Sequence, residues 1–179
     1  MKRKVVLKKY AIHILPVPAI RIDAFEYPME KNALISCTER TNSFLSENTI
    51  PYKLVLPFPD VDFADYPGAF NGAHAREIIK FIRGLPECVT DLYVCCSKGG
   101  SRSTALAAAI LRASGRKDSA VWKNPFYTPN KLVYKRMCNE LGFFMPRLIV
   151  RLKSLDNEIQ FKKAQKRGNA GKYERWQIL

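Results

Sequence analysis

The sequence predicts an α/β fold, with a central, mostly parallel sheet flanked by helices. Three observations carry this reading. Several apolar runs, such as Leu92-Tyr93-Val94-Cys95-Cys96, are compact and strand-like. Between and after them lie stretches with helical periodicity, so strands alternate with helices. A chain of 179 residues, 47% apolar and 26% charged, fits one compact core better than a disordered segment.

In chain order, Lys4 to Ile22 reads as a strand and its exit loop. Residues 32–37 read as a short buried strand, followed by a polar loop through Asn48. Lys53 to Leu56 is another apolar run, stopped by Pro57 and Pro59. Asp60 to Gly68 is a loop by its Pro and Gly content, and it carries Asp60, Asp62 and Asp65 close together. From Asn71 to Arg83, Ala75, Ile78, Ile79 and Ile82 recur at helix spacing, and Gly84 and Pro86 end the segment. The strand 92–96 runs directly into Ser97-Lys98-Gly99-Gly100-Ser101. Ser103 to Ala113 is a small-residue helix, with Gly115 as its stop.

Asn124 to Asn130 is a turn segment, and Pro129 or Asn130 starts the next helix through Leu132, Val133, Arg136 and Met137. A final helix follows Pro146, with Leu148, Leu152, Leu155 and Ile159 on one face, and Gly168 and Gly171 break it. The apolar residues from Tyr173 to Leu179 are expected to dock back. No domain boundary stands out. Residues 1–145 form the main domain, and residues 146–179 a basic helical extension packed on it or projecting from it.

The net charge is +14, with Lys2, Arg3, Lys4, Lys8 and Lys9 crowding the start and Lys162, Lys163, Lys166 and Arg167 the end. Such an excess attracts phosphoproteins, nucleotides, nucleic acid or acidic lipid without choosing among them. Each basic cluster taken alone is a solvated face. No stretch approaches the roughly 20 apolar residues of a membrane span. The basic start and the apolar run Ala11 to Ile20 resemble a signal peptide, but His13, Pro16 and Pro18 interrupt the run and no small-residue cleavage site follows. A cytoplasmic protein is expected. The five cysteines, at 37, 88, 95, 96 and 138, show no paired-ligand spacing, so free thiols are expected rather than a disulfide framework or a zinc site. No cofactor is called for.

The chemistry concentrates in Cys96-Ser97-Lys98-Gly99-Gly100-Ser101-Arg102. A Cys followed six residues later by Arg is weak by itself, and a buried core cysteine beside an unrelated surface arginine is the ordinary reading. Here the pair follows an apolar strand, encloses two glycines and opens a helix. Glycines let the backbone curl its N–H groups around one anion, and a helix N-terminus adds positive potential at the same place. The same field stabilises a thiolate at Cys96. Arg102 is suited to gripping two phosphoryl oxygens.

These residues resemble the signature of the protein tyrosine phosphatase superfamily, especially its small dual-specificity-like bacterial members: Cys, five residues, Arg, then Ser or Thr, here Cys96, Arg102 and Ser103. The resemblance extends from about Ile35 through Leu141 and includes the Leu56-Pro57-Phe58-Pro59-Asp60 approach to an acid loop. It implies a tyrosine/dual-specificity phosphatase-like fold for residues 1–145 and a metal-independent, two-step reaction. Cys96 attacks phosphorus, and an aspartic acid protonates the leaving oxygen and then activates water. Ser103 hydrogen-bonds the sulfur. Ser97, Lys98, Gly99, Gly100, Ser101 and Arg102 hold the phosphate. Asp60, directly after a Pro at the end of a strand-like run, is the first choice of acid, with Asp62 next and Asp65 also in range.

One departure stands out: the family usually has His before the nucleophile, and this chain has Cys95. Its plain reading is a small apolar residue on the strand's other face. A sharper one is redox protection, with Cys95 or another cysteine trapping oxidised Cys96. His13 and His74 receive no catalytic role. The expected substrate is a phosphorylated protein, phosphotyrosine or dual-specificity. Lys98 and the overall charge leave open an RNA 5′-phosphatase or a phosphoinositide phosphatase, and the missing His leaves open a phosphate-binding pseudophosphatase. The basic ends are candidates for contact with nucleic acid or acidic lipid.

Overall fold

The computed structural model describes residues 3–16, 28–38, 50–166 and 179. Four strands form one sheet: β1 (Ala11–Pro16), β2 (Asn32–Ser36), β3 (Tyr52–Val55) and β4 (Asp91–Cys96), in the order β1-β4-β2-β3. Every pairing is parallel. β4 is central, flanked by β1 and β2 in registers that set Val94 beside both Ile14 and Ile35.

Side chains alternate across a strand, so the sheet has two unlike faces. One carries Ile12, Ile14, Ala33, Ile35, Leu92, Val94 and Cys96 in the main core. The other carries Leu34, Tyr93 and Cys95 in a smaller cluster with Ile50. The helices α1 (Gly72–Arg83), α2 (Arg102–Ala113), α3 (Ser119–Lys123), α4 (Lys131–Glu140) and α5 (Arg147–Lys166) all contribute to the main core. Buried on nearly all sides, α2 shows why its sequence is rich in Ala: small side chains let it lie close to β4, β1, α3 and α4.

Helix starts follow local chemistry. Asn71 caps α1, accepting from the N–H groups of Ala73 (2.9 Å) and His74 (3.2 Å), while His74 Nδ1 accepts from the Asn71 N–H. His13 Nε2 lies 2.7 Å from Asp91 Oδ1, and its ring stacks on Tyr93. Both histidines are thus engaged in structure. A short 3-10 turn (Met29–Lys31) and α3 were not expected from the sequence; both are too brief to show a period.

The N-terminal reading changes. The strand begins only at Ala11, and residues 3–10 are an irregular strap. Its N–H groups bond elsewhere than a sheet: Val5 to Leu141 O (2.9 Å) and Leu7 to Ala113 O (3.1 Å). Gly142, at φ +82°, lets the strap pass; a Cβ there would sit 2.5 Å from Arg3 O. The expected exit loop beyond residue 16, the loop through Asn48 and the glycine break after α5 lie outside the described residues. Of the chain end, only Leu179 is described, and it exchanges two backbone hydrogen bonds with Ile12 (2.7 and 2.8 Å).

The C-terminal helix α5 packs on α3 and α4. It is turned away from its most apolar stripe. Val150 and Asn157 are buried, whereas Leu148, Leu152, Leu155 and Ile159 are exposed. Polar contacts hold the buried side. Asn157 Nδ2 donates to the carbonyls of Trp122 (2.9 Å) and Asn124 (3.0 Å), and Lys153 Nζ lies 2.9 Å from Asp118 Oδ1. Buried Asp118 also accepts from the Tyr134 hydroxyl.

Candidate active site

β4 ends at Cys96 and α2 begins at Arg102, so residues 97–101 turn the chain between a buried strand and a buried helix. Gly99 makes the turn at φ +67°, a conformation that resists any side chain. Ser101 occupies the N-cap of α2 but forms no cap bond; its hydroxyl donates to Asp60 Oδ1 at 2.7 Å. The N–H groups of Ser101 and Ser103 instead favour the charged form of the Cys96 sulfur.

Cys96 is buried, and burial alone would push its thiol pKa up. Three kinds of contact outweigh it: the Ser103 hydroxyl at 3.2 Å, the two N–H groups, and the positive charge of Arg102. The net result is a thiol more acidic than usual. Cys95, one residue earlier, faces the opposite side of the sheet, in the cluster of Leu34 and Tyr93, and burial pushes it up to about 12. Cys37, rather than Cys95, shares Cys96's core cluster. Its thiol is also raised well above normal, first by burial and then by the neighbouring Cys96. All five cysteines are free.

Arg102 is buried and fixed from behind. Nη1 donates to the carbonyls of Cys37 (2.7 Å) and Phe58 (2.6 Å), and Nη2 to Ser97 Oγ (2.9 Å). Nε is buried with no hydrogen-bond partner among the described residues; the nearest carboxylate oxygen, Asp60 Oδ2, stands 3.9 Å away. A buried, unpaired guanidinium N–H is costly unless an acceptor fills its place. Nε and Nη2 share the edge through which a guanidinium grips two oxygens of one anion. The donor set therefore fits an oxyanion such as phosphate.

The three candidate acids separate by geometry. Asp60 is tied to the loop by Ser101 and also accepts from Asn130 Nδ2 at 2.9 Å. Asp62 lines the same cavity but is held by Lys131, through its backbone N–H (2.8 Å) and its Nζ (2.9 Å). Asp65 is exposed and does not line the cavity. Lys98 is exposed and lines the cavity with Ser97, Gly99 and Gly100. Among the described residues, no three His, Cys, Asp or Glu side chains gather as a metal site.

The cavity has a volume of about 880 Å³, far more than a bare phosphate fills. Phe63, Trp122 and Phe126 form apolar parts of its wall, and Ser154, Asn157 and Glu158 bring α5 into the lining. Sequence reasoning missed these α5 residues, the two carbonyls behind Arg102, and Asn130's second role. Asn130 caps α4 through Oδ1 (2.9 Å to Val133 N) while its Nδ2 holds Asp60 and the Val61 carbonyl. The Pro-Asn pair before a helical run signals the cap, but nothing in the sequence signals a partner seventy positions away.

Comparison with solved structures finds similarity of fold to tyrosine/dual-specificity-type phosphatases. Tk-PTP in its active form shares 14% identity over 92% of this chain and 96% of that chain, with a TM-score of 0.40. PTPMT1, solved in complex with PI(5)P, shares 14% identity over 76% and 80%, with a TM-score of 0.36. The Yvh1 phosphatase domain from Chaetomium thermophilum shares 18% identity over 78% and 80%, with a TM-score of 0.34. No protein-family model matches the chain, and no curated protein matches it.

Proposed function

We propose that this protein is a cysteine-dependent phosphatase that hydrolyses phosphate monoesters, with phosphotyrosine or dual-specificity phosphoprotein substrates. The observation that carries the reading is the meeting, in one cavity, of an acidified Cys96 thiol and a buried Arg102 whose Nε lacks a partner among the described residues. A thiolate and an anion clamp side by side serve attack on phosphorus better than any structural purpose.

In the proposed reaction the Cys96 thiolate attacks phosphorus and the bond to the ester oxygen breaks. Asp60 gives its proton to that leaving oxygen. Water then attacks the cysteinyl-phosphate, Asp60 takes a proton from it, and the sulfur–phosphorus bond breaks. The Ser103 hydroxyl, 3.2 Å from Sγ, stabilises the departing thiolate. Arg102 and the loop N–H groups of residues 97–101 meet the equatorial oxygens, so the proposal calls for no metal. Asp60 is favoured over Asp62 because its carboxylate is bonded to the loop itself, while Asp62 is bonded to Lys131.

The size of the cavity and Lys98 in its lining favour a second substrate class, phosphoinositides, whose headgroup is broader than a phosphoamino acid. The test of the mechanism is hydrolysis of para-nitrophenyl phosphate in the presence of a chelator, by wild type and Cys96→Ser, with and without vanadate. Turnover lost in the variant and blocked by vanadate supports the reading. A folded protein that binds vanadate without turnover is a phosphate-binding module instead.

A further inference from the structure

α5 carries two faces with opposite fates. Val150 and Asn157 point into the body, and on the other side of the helix Leu148 (66% exposed), Leu152 (56%), Leu155 (44%) and Ile159 (49%) form a continuous apolar stripe. Phe144, just before the helix, is 84% exposed. At 1.5 Å per residue the stripe from Leu148 to Ile159 runs about 16 Å. Isolated exposed leucines are ordinary, but a contiguous row on one helix marks a contact surface. Nothing among the described residues covers it.

Charge decides what fits. Arg151, Lys162 and Glu158 flank the stripe on one side, Lys163 and Asp156 on the other, and Arg147 and Lys166 stand near its ends. Lys153, by contrast, is turned inward to Asp118. Across α5 the exposed cations Arg147, Arg151, Lys162, Lys163 and Lys166 outnumber the acids Asp156 and Glu158, so two copies pairing through this stripe would bring like charge together. An anionic bilayer meets both demands: its acyl boundary takes the apolar row and its headgroups take the flanking cations.

We propose that α5 is a docking surface for anionic lipid membrane, lying in the interface with Leu148, Leu152, Leu155 and Ile159 inserted. Because Ser154 and Glu158 of the same helix line the catalytic cavity, docking holds the mouth of that cavity close to the lipid headgroups. The proposal rests on α5 and its charge, and stands apart from the reaction assigned to Cys96.

The test is co-sedimentation of the full chain with phosphatidylcholine vesicles and with vesicles containing about 30 mol% phosphatidylserine, for wild type, Leu152→Gln/Ile159→Gln and Arg151→Gln/Lys162→Gln. The substituted side chains are surface-exposed, so circular dichroism and para-nitrophenyl phosphate turnover are expected to stay at wild-type values. Wild type is expected to partition at least about tenfold more strongly onto the anionic vesicles, less so as salt shortens the Debye length. Each double variant is expected to lose about tenfold or more, the first through lost apolar insertion and the second through lost attraction. Failure of wild type to bind anionic vesicles, equal binding to both vesicle types, or full binding by the Leu152/Ile159 variant would overturn the proposal. So would a wild-type dimer in analytical ultracentrifugation that this variant makes monomeric, since the stripe would then belong to a second copy. Loss of turnover with binding intact would count against the phosphatase reading alone.

Discussion

Ser103→Ala isolates the contact that most directly prepares Cys96. The Ser103 hydroxyl is fully buried and 3.2 Å from the sulfur, and it is the first of the groups that pull the thiol's pKa down against the cost of burial. A hydrogen bond to a charged group contributes about 1.5–3 kcal/mol. The N–H groups of Ser101 and Ser103 and the charge of Arg102 remain in the variant, so the lower end of that range applies. At about 1.4 kcal/mol per factor of ten, the thiolate-to-thiol ratio of Cys96 at a fixed pH falls about tenfold. The assay is the rate of iodoacetamide alkylation across pH, read by mass spectrometry on the Cys96 peptide. Cys37, Cys95 and Cys138 are buried thiols with raised pKa values and serve as slow internal controls. If the variant's Cys96 reacts like wild type at every pH, the hydroxyl does not stabilise the thiolate and the reasoning fails.

Other outcomes follow from the same geometry. Asp60→Asn is expected to lower kcat on a phosphopeptide by about 10²–10⁴-fold, while Asp62→Asn, which loses a contact to Lys131, stays within a few-fold of wild type; the reverse order would move the acid to Asp62. Asn130→Ala removes both the donor to Asp60 and the acceptor that caps α4, so kcat should fall and stability should drop by about 1 kcal/mol; Asn130→Asp keeps the cap acceptor but sets a carboxylate against Asp60 and the Val61 carbonyl, so its kcat and its urea midpoint should both fall. Cys95 and Cys138 are each pushed up to about 12 from an ordinary 9.0, so the unfolded chain releases their protons first. Their contribution to stability is complete below pH 9 and is lost as pH rises toward 12; a urea midpoint that rises through this alkaline range would contradict it.

The strand-loop-helix turn from Cys96 to Arg102 was legible because its parts are consecutive: strand, glycines and helix start all lie between Leu92 and Ala113. Local rules of backbone freedom and capping act on neighbours, so a linear reading finds them. Asp60 stands out in the sequence for a similar reason, as the residue after a Pro that ends a strand-like run, and the structure sets it against the loop through Ser101. The grip on Arg102 does not stand out, because it uses the backbone carbonyls of Cys37 and Phe58, and any residue type offers a carbonyl. Asn130's hold on Asp60 depends on how two distant loops meet.

The orientation of α5 was hidden for a different reason. Periodicity identifies an apolar stripe but does not say that the stripe faces the body. Here two hydrogen bonds from Asn157 and the Lys153–Asp118 pair fix the opposite side, against the trend that apolar faces turn inward. That reversal also turned a C-terminal extension of unassigned role into part of the cavity wall. Cys95 shows the converse, a residue whose plain reading holds: alternation along β4 puts it on the face away from Cys96.

The measurement that tests the central claim most directly is capture of the covalent intermediate. Asp60→Asn, mixed with para-nitrophenyl phosphate and quenched in acid, should retain the first step, because the leaving group needs little proton assistance, and should slow the second, which lacks its base. Mass mapping is then expected to find one phosphoryl group on the peptide containing Cys96, absent in Asp60→Asn/Cys96→Ser. Turnover with the phosphoryl group on another residue, or with no adduct at Cys96 at any quench time, would contradict a cysteinyl-phosphate mechanism.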